Sequence, residues 1–312
     1  MSNPFVHPGL FYKGAGEYLA GTLSFIRDGL AAGEPVAVAV PAVNLALISG
    51  ELGDQADRVL LTDMGEAGRN PGRIIPAVLR AFADRHPGER VRIIGEPIWP
   101  GRSAAEYPAC AQHEALINLA FAGRPVTILC PYDAEHLDRV VLDDAVRTHP
   151  VLRDASGERE SEGFAPAAVV DGYNQPLDQP LDPAVLAFDH TNLAEARQVA
   201  AERAGAMGFR GARLDDIQLV VSELGANSLD HGGGSGLLRA WTEGGRLVFE
   251  VSDRGHITDP LAGRSPVDPR TPGSRGLLIV NLLSDLVRVH TRDGFTAVRT
   301  YFDPPGVLTP AG

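Results

Sequence analysis

Four short apolar runs, PVAVAV (35–40), RVLLTDM (58–64), RVRIIGE (90–96) and PVTILCPYD (125–133), constrain the fold of this 312-residue chain more than any other feature. Each is rich in Val, Ile or Leu and is bounded by glycine, proline or charge, and three of the four carry an acidic residue at or next to their end. Helix-like stretches lie between them, at 16–33, 72–86 and 105–123. A strand buried on both faces reads as a continuous apolar run, so runs alternating with helices predict an α/β domain with a mostly parallel sheet. Ligands of such sheets bind beyond the carboxyl ends of the strands. Those ends carry Asp63, Glu96 and Asp133.

Beyond residue 152 the pattern changes. RDASGERESEG is charged and small, and DGYNQPLDQPLDP is rich in Pro and Asp without a hydrophobic period. Such a stretch buries too little apolar surface to offset its ordering entropy, so residues 153–183 are expected to be a linker between domains at 1–152 and 184–312. In the second part, helices are expected at 191–208 and 214–232, where Leu214, Ile217, Val220, Val221, Leu224 and Leu229 form a stripe near the 3.6 period. Alternating strands at 236–241 and 246–253 flank TEGG, which has hairpin chemistry. A Gly/Pro-rich loop, a helix at 276–285 and strands at 287–291 and 296–302 complete an α+β layer, an antiparallel sheet backed by helices.

Composition narrows the function. The chain carries 28 Lys+Arg against 40 Asp+Glu, a formal net charge of −12. Nucleic-acid binders displace counterions with a basic surface, so no direct nucleic-acid partner is expected. No apolar run reaches the roughly 18 residues of a membrane span, and the first residues, MSNPFVHPGL, have no signal-peptide pattern; a cytoplasmic protein without a membrane partner is expected. Cys110 and Cys130 lack CxxC spacing and read as buried reduced thiols.

Chemistry-bearing residues gather in the second part. Glu223 and Asn227, spaced i, i+4, share a helix face, and His231 follows four residues later at the helix end. An amide oxygen is a hard neutral ligand for Mg²⁺, and a carboxylate can deprotonate an attacking hydroxyl. Alone, such a pair reads as the solvated face of an amphipathic helix. Asp253 ends a strand just before Gly255, and Gly273 and Gly276 bracket a loop entering a helix, whose free N–H groups can cradle phosphate. A carboxylate at a strand end can accept from an exocyclic amine such as that of adenine. Three separated elements thus converge on a nucleotide.

ELGANSLDHG, VSDRG, GSRGLLIVNLLSD and GFTAV, in that order, resemble the N, G1, G2 and G3 boxes of the gyrase, histidine-kinase and heat-shock-chaperone ATPase superfamily. The branch they resemble most is the anti-sigma factor serine/threonine kinase, over about residues 184–312. The resemblance implies ATP and Mg²⁺ as cofactors, Glu223 as general base, Asn227 as the Mg²⁺ ligand and Asp253 as the adenine-reading carboxylate. It further implies Gly255, Gly273 and Gly276 in the phosphate and adenine loops, Thr296 supporting the adenine side, His231 closing the N box and Arg275 reaching a phosphate. Two positions depart from the pattern. Ile257 and Ser274 stand where the boxes usually have glycine, which stiffens a loop that must move over the nucleotide.

Residues 5–152 resemble a second family, the sensory domain called MEDS, through HPGLFYKGAGEYLAGTLSFIRDGLAAGEPVAVAVP, GRNPGRIIP, GEPIW, QHEALIN, TILCPYD and THP (148–150). The resemblance implies a recombinase-like core and a small-molecule ligand. VPAVNLAL replaces any GxxxxGK[ST] after the first apolar run, so no P-loop is expected. Glu96, Trp99, Arg102, His113, Cys130, Tyr132 and Asp133 are candidates for a sensory pocket, with loop fixing and strand capping as the competing account. His113, Glu114 and Asn118 form HExxxN, with Ile117 where a zinc HExxH motif has its second histidine. His7 and His149 read as polar residues near the domain's ends.

Together these readings predict a signalling protein: an ATP-dependent protein serine/threonine kinase module controlled by a sensory domain. Its partners would be an anti-anti-sigma-type protein or a sigma factor, with a second copy of the chain as a further candidate. The alternatives are a non-catalytic nucleotide- or ligand-switched binding protein and a histidine kinase-like sensor. For the latter, His190 is the one histidine between the linker and the N box.

Overall fold

A computed structural model describes residues 5–266 and 275–306, which pack as two units divided after Tyr173. In the first unit the strands are β1 (Pro8–Tyr12), β2 (Val36–Val40), β3 (Val59–Asp63), β4 (Val91–Gly95), β5 (Val126–Asp133), β6 (Val151–Asp154) and β7 (Gly157–Glu160). They form one sheet in the order β3-β2-β4-β5-β1-β6-β7, parallel throughout except for the β6–β7 hairpin. The expected α/β architecture is present. β2 is buried along its whole length, as a central parallel strand must be.

The helices are α1 (Gly14–Ala31), α2 (Ala42–Leu52), α3 (Met64–Ala67), α4 (Arg80–Ala83), α5 (Tyr107–Ala120), α6 (Arg139–Thr148) and α7 (Pro166–Gly172). α1 and α2 bury Tyr18, Ile26 and Ile48 against Leu10, Val38, Ile94 and Leu129 on one face of the sheet. Each such fully buried side chain contributes about 1.5–3 kcal/mol of transfer free energy. The helix expected at 72–86 is broken into a turn at Pro71–Arg73, a π-helical stretch at Ile75–Leu79 and α4. Pro76 has no N–H to donate into the ladder and crowds the preceding turn, which accounts for the wider winding.

The expected linker 153–183 is corrected in its first half. β6 and β7 extend the sheet, and α7 packs against α5 through Val169, Ala111 and Ala115. The charge run in this stretch is the exposed strand β7, whose four residues all face solvent. Residues 174–183 have no helix or strand and are pinned onto the second unit. There the Asn174 side chain accepts from the Thr291 N–H at 2.9 Å and donates to the Thr291 carbonyl at 2.8 Å.

The second unit contains β8 (Ala184–Asp189), β9 (Ser235–Glu243), β10 (Arg246–Asp253), β11 (Leu286–Arg292) and β12 (Phe295–Phe302), all antiparallel in the order β11-β12-β10-β9-β8. Helices α8 (Leu193–Ala206), α9 (Gly211–His231) and α10 (Gly276–Leu283) complete the unit. The core joins Ala196, Ala200, Ile217, Val220, Val221 and Leu224 of the helices to Leu238, Phe249, Val251 and Val298 of the strands. This is the expected two-layer α+β sandwich. On the opposite face, Glu250 of β10 pairs with Arg299 of β12 at 2.7 Å and with Arg239 of β9 at 3.2 Å. No helix among the described residues is long and apolar enough to cross a membrane.

Candidate functional site

The second unit holds a cavity of about 420 Å³ between α9, the end of β10, the loop after it, the start of α10 and β12. Its size suits a small-molecule ligand. Apolar walls come from Leu224, Val251, Ile257, Leu277 and Val298, and polar groups from Asn227, Ser228, Asp253 and Thr296.

The polar groups are held by one another. Asp253 ends β10, where its Oδ1 accepts from the Gly255 N–H at 2.8 Å and its Oδ2 from the Ser228 hydroxyl at 2.6 Å. Each carboxylate oxygen keeps a further acceptor site, so a fixed, half-buried carboxylate stands in an apolar wall. Thr296 donates to the Gly255 carbonyl at 3.2 Å and shares a 2.8 Å hydrogen bond with the Thr291 hydroxyl, which accepts from the Ile257 N–H at 2.9 Å. These bonds anchor the loop after β10 to β11 and β12.

Close approach explains the glycines. A Cβ on Gly232 would lie 2.4 Å from Asp253 Cγ, and one on Gly276 would lie 2.9 Å from Asn227 Oδ1 and 3.1 Å from Glu223 Oε2. The first turn of α10, whose leading N–H groups have no partner within the helix, therefore abuts the α9 face bearing Glu223 and Asn227. The buried Asn227 Nδ2 makes no hydrogen bond. An orphaned amide beside a helix N-terminus, a fixed carboxylate and an apolar floor fit a nucleotide and its divalent cation. Asn227 and Glu223 would face the cation and phosphates, and Asp253 and Thr296 the base.

Asn227, His231, Asp253, Gly255, Gly276 and Thr296 all line this cavity. Glu223 borders it through Gly276. Arg275 is exposed at the start of α10 and is not among the lining residues. Gly273 and Ser274 lie outside the described residues. Ser228 was not anticipated; a serine one position after Asn227 carries no signal until β10 is placed beside α9. His190 is exposed in the turn between β8 and α8, not on a helix, so it lacks the setting of a phosphoacceptor on a dimerisation helix.

The seven residues suggested for a sensory pocket fall into groups in the first unit, with Glu96 and Asp133 near each other around Tyr12, and Cys130 beside Tyr132. Side chains of a strand alternate between faces. Glu96 follows β4 on the α1/α2 face, where it is 1% exposed and accepts from Tyr18 Oη at 3.1 Å and from Asn44 Nδ2 at 2.9 and 3.0 Å. Burial pushes its carboxyl up to about 8. Cys130 and Tyr132 of β5 point to the other face, against α5.

The remaining candidates have structural employment. Arg102 stacks on Trp99, its guanidinium 4.1 Å from the ring centre, and donates to the carbonyls of Gly68, Arg69 and Pro97. Asp133 accepts from the backbone N–H groups of Glu135 and His136, and Asp63 caps α3 through Gly65. His113 is buried on α5.

Beside Cys130 the structure assembles a group that the sequence had scattered. His7, Glu114 and His149, each 0–1% exposed, meet it between β1, β5, α5 and the start of β6. Burial and then the neighbouring His149 push His7 down to about 4. Burial pushes the Cys130 thiol up, with Glu114 adding to it. Burial alone would raise Glu114, yet the two imidazoles hold it below the usual carboxylate range.

With the geometry described, two family models account for most of the chain. Residues 6–150 match the methanogen/methylotroph DcmR sensory domain, MEDS. Residues 186–302 match the histidine kinase-like ATPase domain. The chain therefore joins a MEDS domain to a histidine kinase-like ATPase domain.

Among solved structures, the RsbU and RsbW domains of a Mycobacterium tuberculosis protein are similar at 20% identity and a TM-score of 0.31, over 40% of this chain and 32% of that one. This chain thus spans about a third of that structure. The Acinetobacter baumannii histidine kinase AdeS is similar at 11% identity and a TM-score of 0.25, over 40% of this chain and 70% of that one. No curated protein matches.

Proposed function

We propose that the protein is a cytoplasmic regulator whose C-terminal half binds Mg-ATP and transfers phosphate to a serine or threonine of a protein partner, under control of the N-terminal sensory domain. The observation that carries this reading is the fixed Asp253 carboxylate in the same cavity as the orphaned Asn227 amide. Bound Mg-ATP supplies the phosphoryl group. Asn227 would hold the cation through its side-chain oxygen, and Asp253 would orient the base by accepting from an exocyclic amine. Glu223, on the same helix face, would take the proton from the attacking hydroxyl. The work left to the protein is positioning and charge neutralisation, which phosphoryl transfer chiefly requires. An anti-anti-sigma-type protein or a sigma factor suits the partner role implied by the anti-sigma kinase resemblance.

Calorimetry with Mg-ATP, followed by phosphosite mapping of proteins retained from the native extract, tests the reading. Absence of binding, or binding and transfer unchanged in Asn227→Ala, would overturn it. A second reading rests on Ile257, which occupies a usual glycine position, packs on the core and ties its N–H to Thr291. A loop anchored in this way favours a binding module switched by nucleotide without turnover. Nucleotide-dependent partner capture with no phosphate transferred would select it.

A further inference from the structure

His7, Glu114, Cys130 and His149 place one ligand atom each within 4.8 Å of one another, all four residues being 0–1% exposed. His7 Nε2 lies 3.5 Å and His149 Nε2 3.2 Å from Glu114 Oε2, and Cys130 Sγ lies 3.4 Å from His7 Nε2. With Zn–N and Zn–O bonds of about 2.0–2.1 Å and a Zn–S bond of about 2.3 Å, the edges of a tetrahedral site measure about 3.3–3.6 Å. The three edges observed lie within about 0.2 Å of that size, and the other three are no longer than 4.8 Å.

Proton placement separates a cation site from an ordinary hydrogen-bond network. Asn118 spends its Nδ2 on the Thr148 carbonyl at 2.8 Å, so its Oδ1, 3.2 Å from His7 Nδ1, must accept from that ring nitrogen. His149 Nδ1 likewise donates to the Ala145 carbonyl at 2.9 Å. Both imidazoles thus present Nε2 to the Glu114 carboxylate. In a neutral ring Nε2 is a lone pair facing an acceptor, and a proton there would turn the contact into an ion pair with Glu114. A second proton on His149 would require an aligned bond, yet His149 Nε2 and both Glu114 oxygens make no hydrogen bond. A cation among these four ligand atoms would satisfy them at once.

We infer that His7, Glu114, Cys130 and His149 form a closed structural site for a divalent transition metal of the zinc class. The Glu114 carboxylate and the Cys130 thiolate would balance its two charges, leaving a neutral buried centre. Asn118 and the Ala145 carbonyl, bonded to the distal ring nitrogens, fix both tautomers as outer partners of metal-bound histidines do. Four protein ligands leave no open position, so the ion would clamp β1, β5, α5 and the entry to β6.

The test is metal analysis of the full chain, produced in zinc-supplemented and cobalt-supplemented cultures and purified without chelator. One equivalent of zinc per chain is expected, with a thiolate-to-cobalt charge-transfer band in the cobalt form. Cys130→Ser should abolish the band, and His149→Gln should lower metal content several-fold. Glu135→Gln, in the exposed trio Asp133, Glu135 and His136, should leave both unchanged. Folded wild-type protein without stoichiometric metal and without the cobalt band would overturn the inference, whatever the variants do. Metal retained in Cys130→Ser but lost in Glu135→Gln would also overturn it by placing the ion at the surface.

Discussion

The Ser228 hydroxyl donates to Asp253 Oδ2 at 2.6 Å and so couples α9 to the end of β10. The bond sets the direction in which the carboxylate faces the cavity. Ser228→Ala leaves the Gly255 N–H as its remaining partner, and losing a hydrogen bond to a charged group costs about 1.5–3 kcal/mol. Part of that loss would be recovered by rotation of the freed carboxylate. Calorimetry should therefore show Mg-ATP affinity reduced about tenfold in Ser228→Ala, with the fold retained. Asp253→Asn should reduce affinity further and narrow the preference for ATP over GTP, because an amide can present a donor where the base presents one.

Gly232 tests the same wall by bulk instead of by charge. Its added Cβ would fall 2.4 Å from Asp253 Cγ and 2.6 Å from Asp253 Cβ. Both are atoms near the backbone, which cannot swing aside without moving the end of β10. Gly232→Ala should thus weaken nucleotide binding more than Ser228→Ala does and, through overpacking, reduce unfolding stability by about 1–3 kcal/mol, seen as a lower Tm. Binding equal to wild type would show that Asp253 does not read the ligand.

In the first unit the legible strands were β2, β4 and β5, buried on both faces, and β3, an edge strand whose apolar run is largely half-buried; in the second unit β9 to β12 were legible from alternation and hairpin chemistry. β1 escaped because PGLFY begins with Pro-Gly and is short, although it lies between β5 and β6 in the sheet. With it was lost the neighbourhood of His7 and His149, because strand order is not a property of local sequence. The period of two sends Glu96 and Cys130 to opposite faces of the sheet, while Glu96 and Asp133 meet around Tyr12. The cavity of the second unit was more legible because its residues belong to ordered local motifs, each spanning a few positions. Ser228 was silent because its role exists only across α9 and β10.

Glu250 offers a stability test outside any ligand site. Its side chain is 2% exposed and holds Arg299 through Nε at 3.0 Å and Nη2 at 2.7 Å. Removing one partner of a buried pair strands the other charge, at a cost of about 3–5 kcal/mol. Glu250→Ala should destabilise the second unit by that order in urea denaturation. The double change Glu250→Leu with Arg299→Met should recover part of the loss, because it removes both members of the most buried pair and leaves only the more exposed Arg239, which keeps its bond to the Ser252 hydroxyl.

Glu96 predicts a pH dependence of the opposite sign to that of most carboxylates. Burial raises its carboxyl in the folded chain to about 8, against 4.5 for an ordinary glutamate. The folded chain therefore binds this proton more tightly than the unfolded chain. Its stabilising contribution is complete below the unfolded value and is lost as the pH rises through the folded one. Between about pH 4.5 and 8 the loss amounts to a few kcal/mol, since each unit corresponds to about 1.4 kcal/mol. Other groups titrate in the same window, His7 with the opposite trend, so the informative quantity is the difference between wild type and Glu96→Gln. The glutamine keeps an acceptor for Tyr18 and Asn44 but does not ionise. Urea titrations of both proteins from pH 5 to 8.5 should show the variant gaining steadily on wild type as the pH rises. A difference that stays flat across that range would mean that Glu96 is ionised throughout, with Asn44 and Tyr18 compensating its burial.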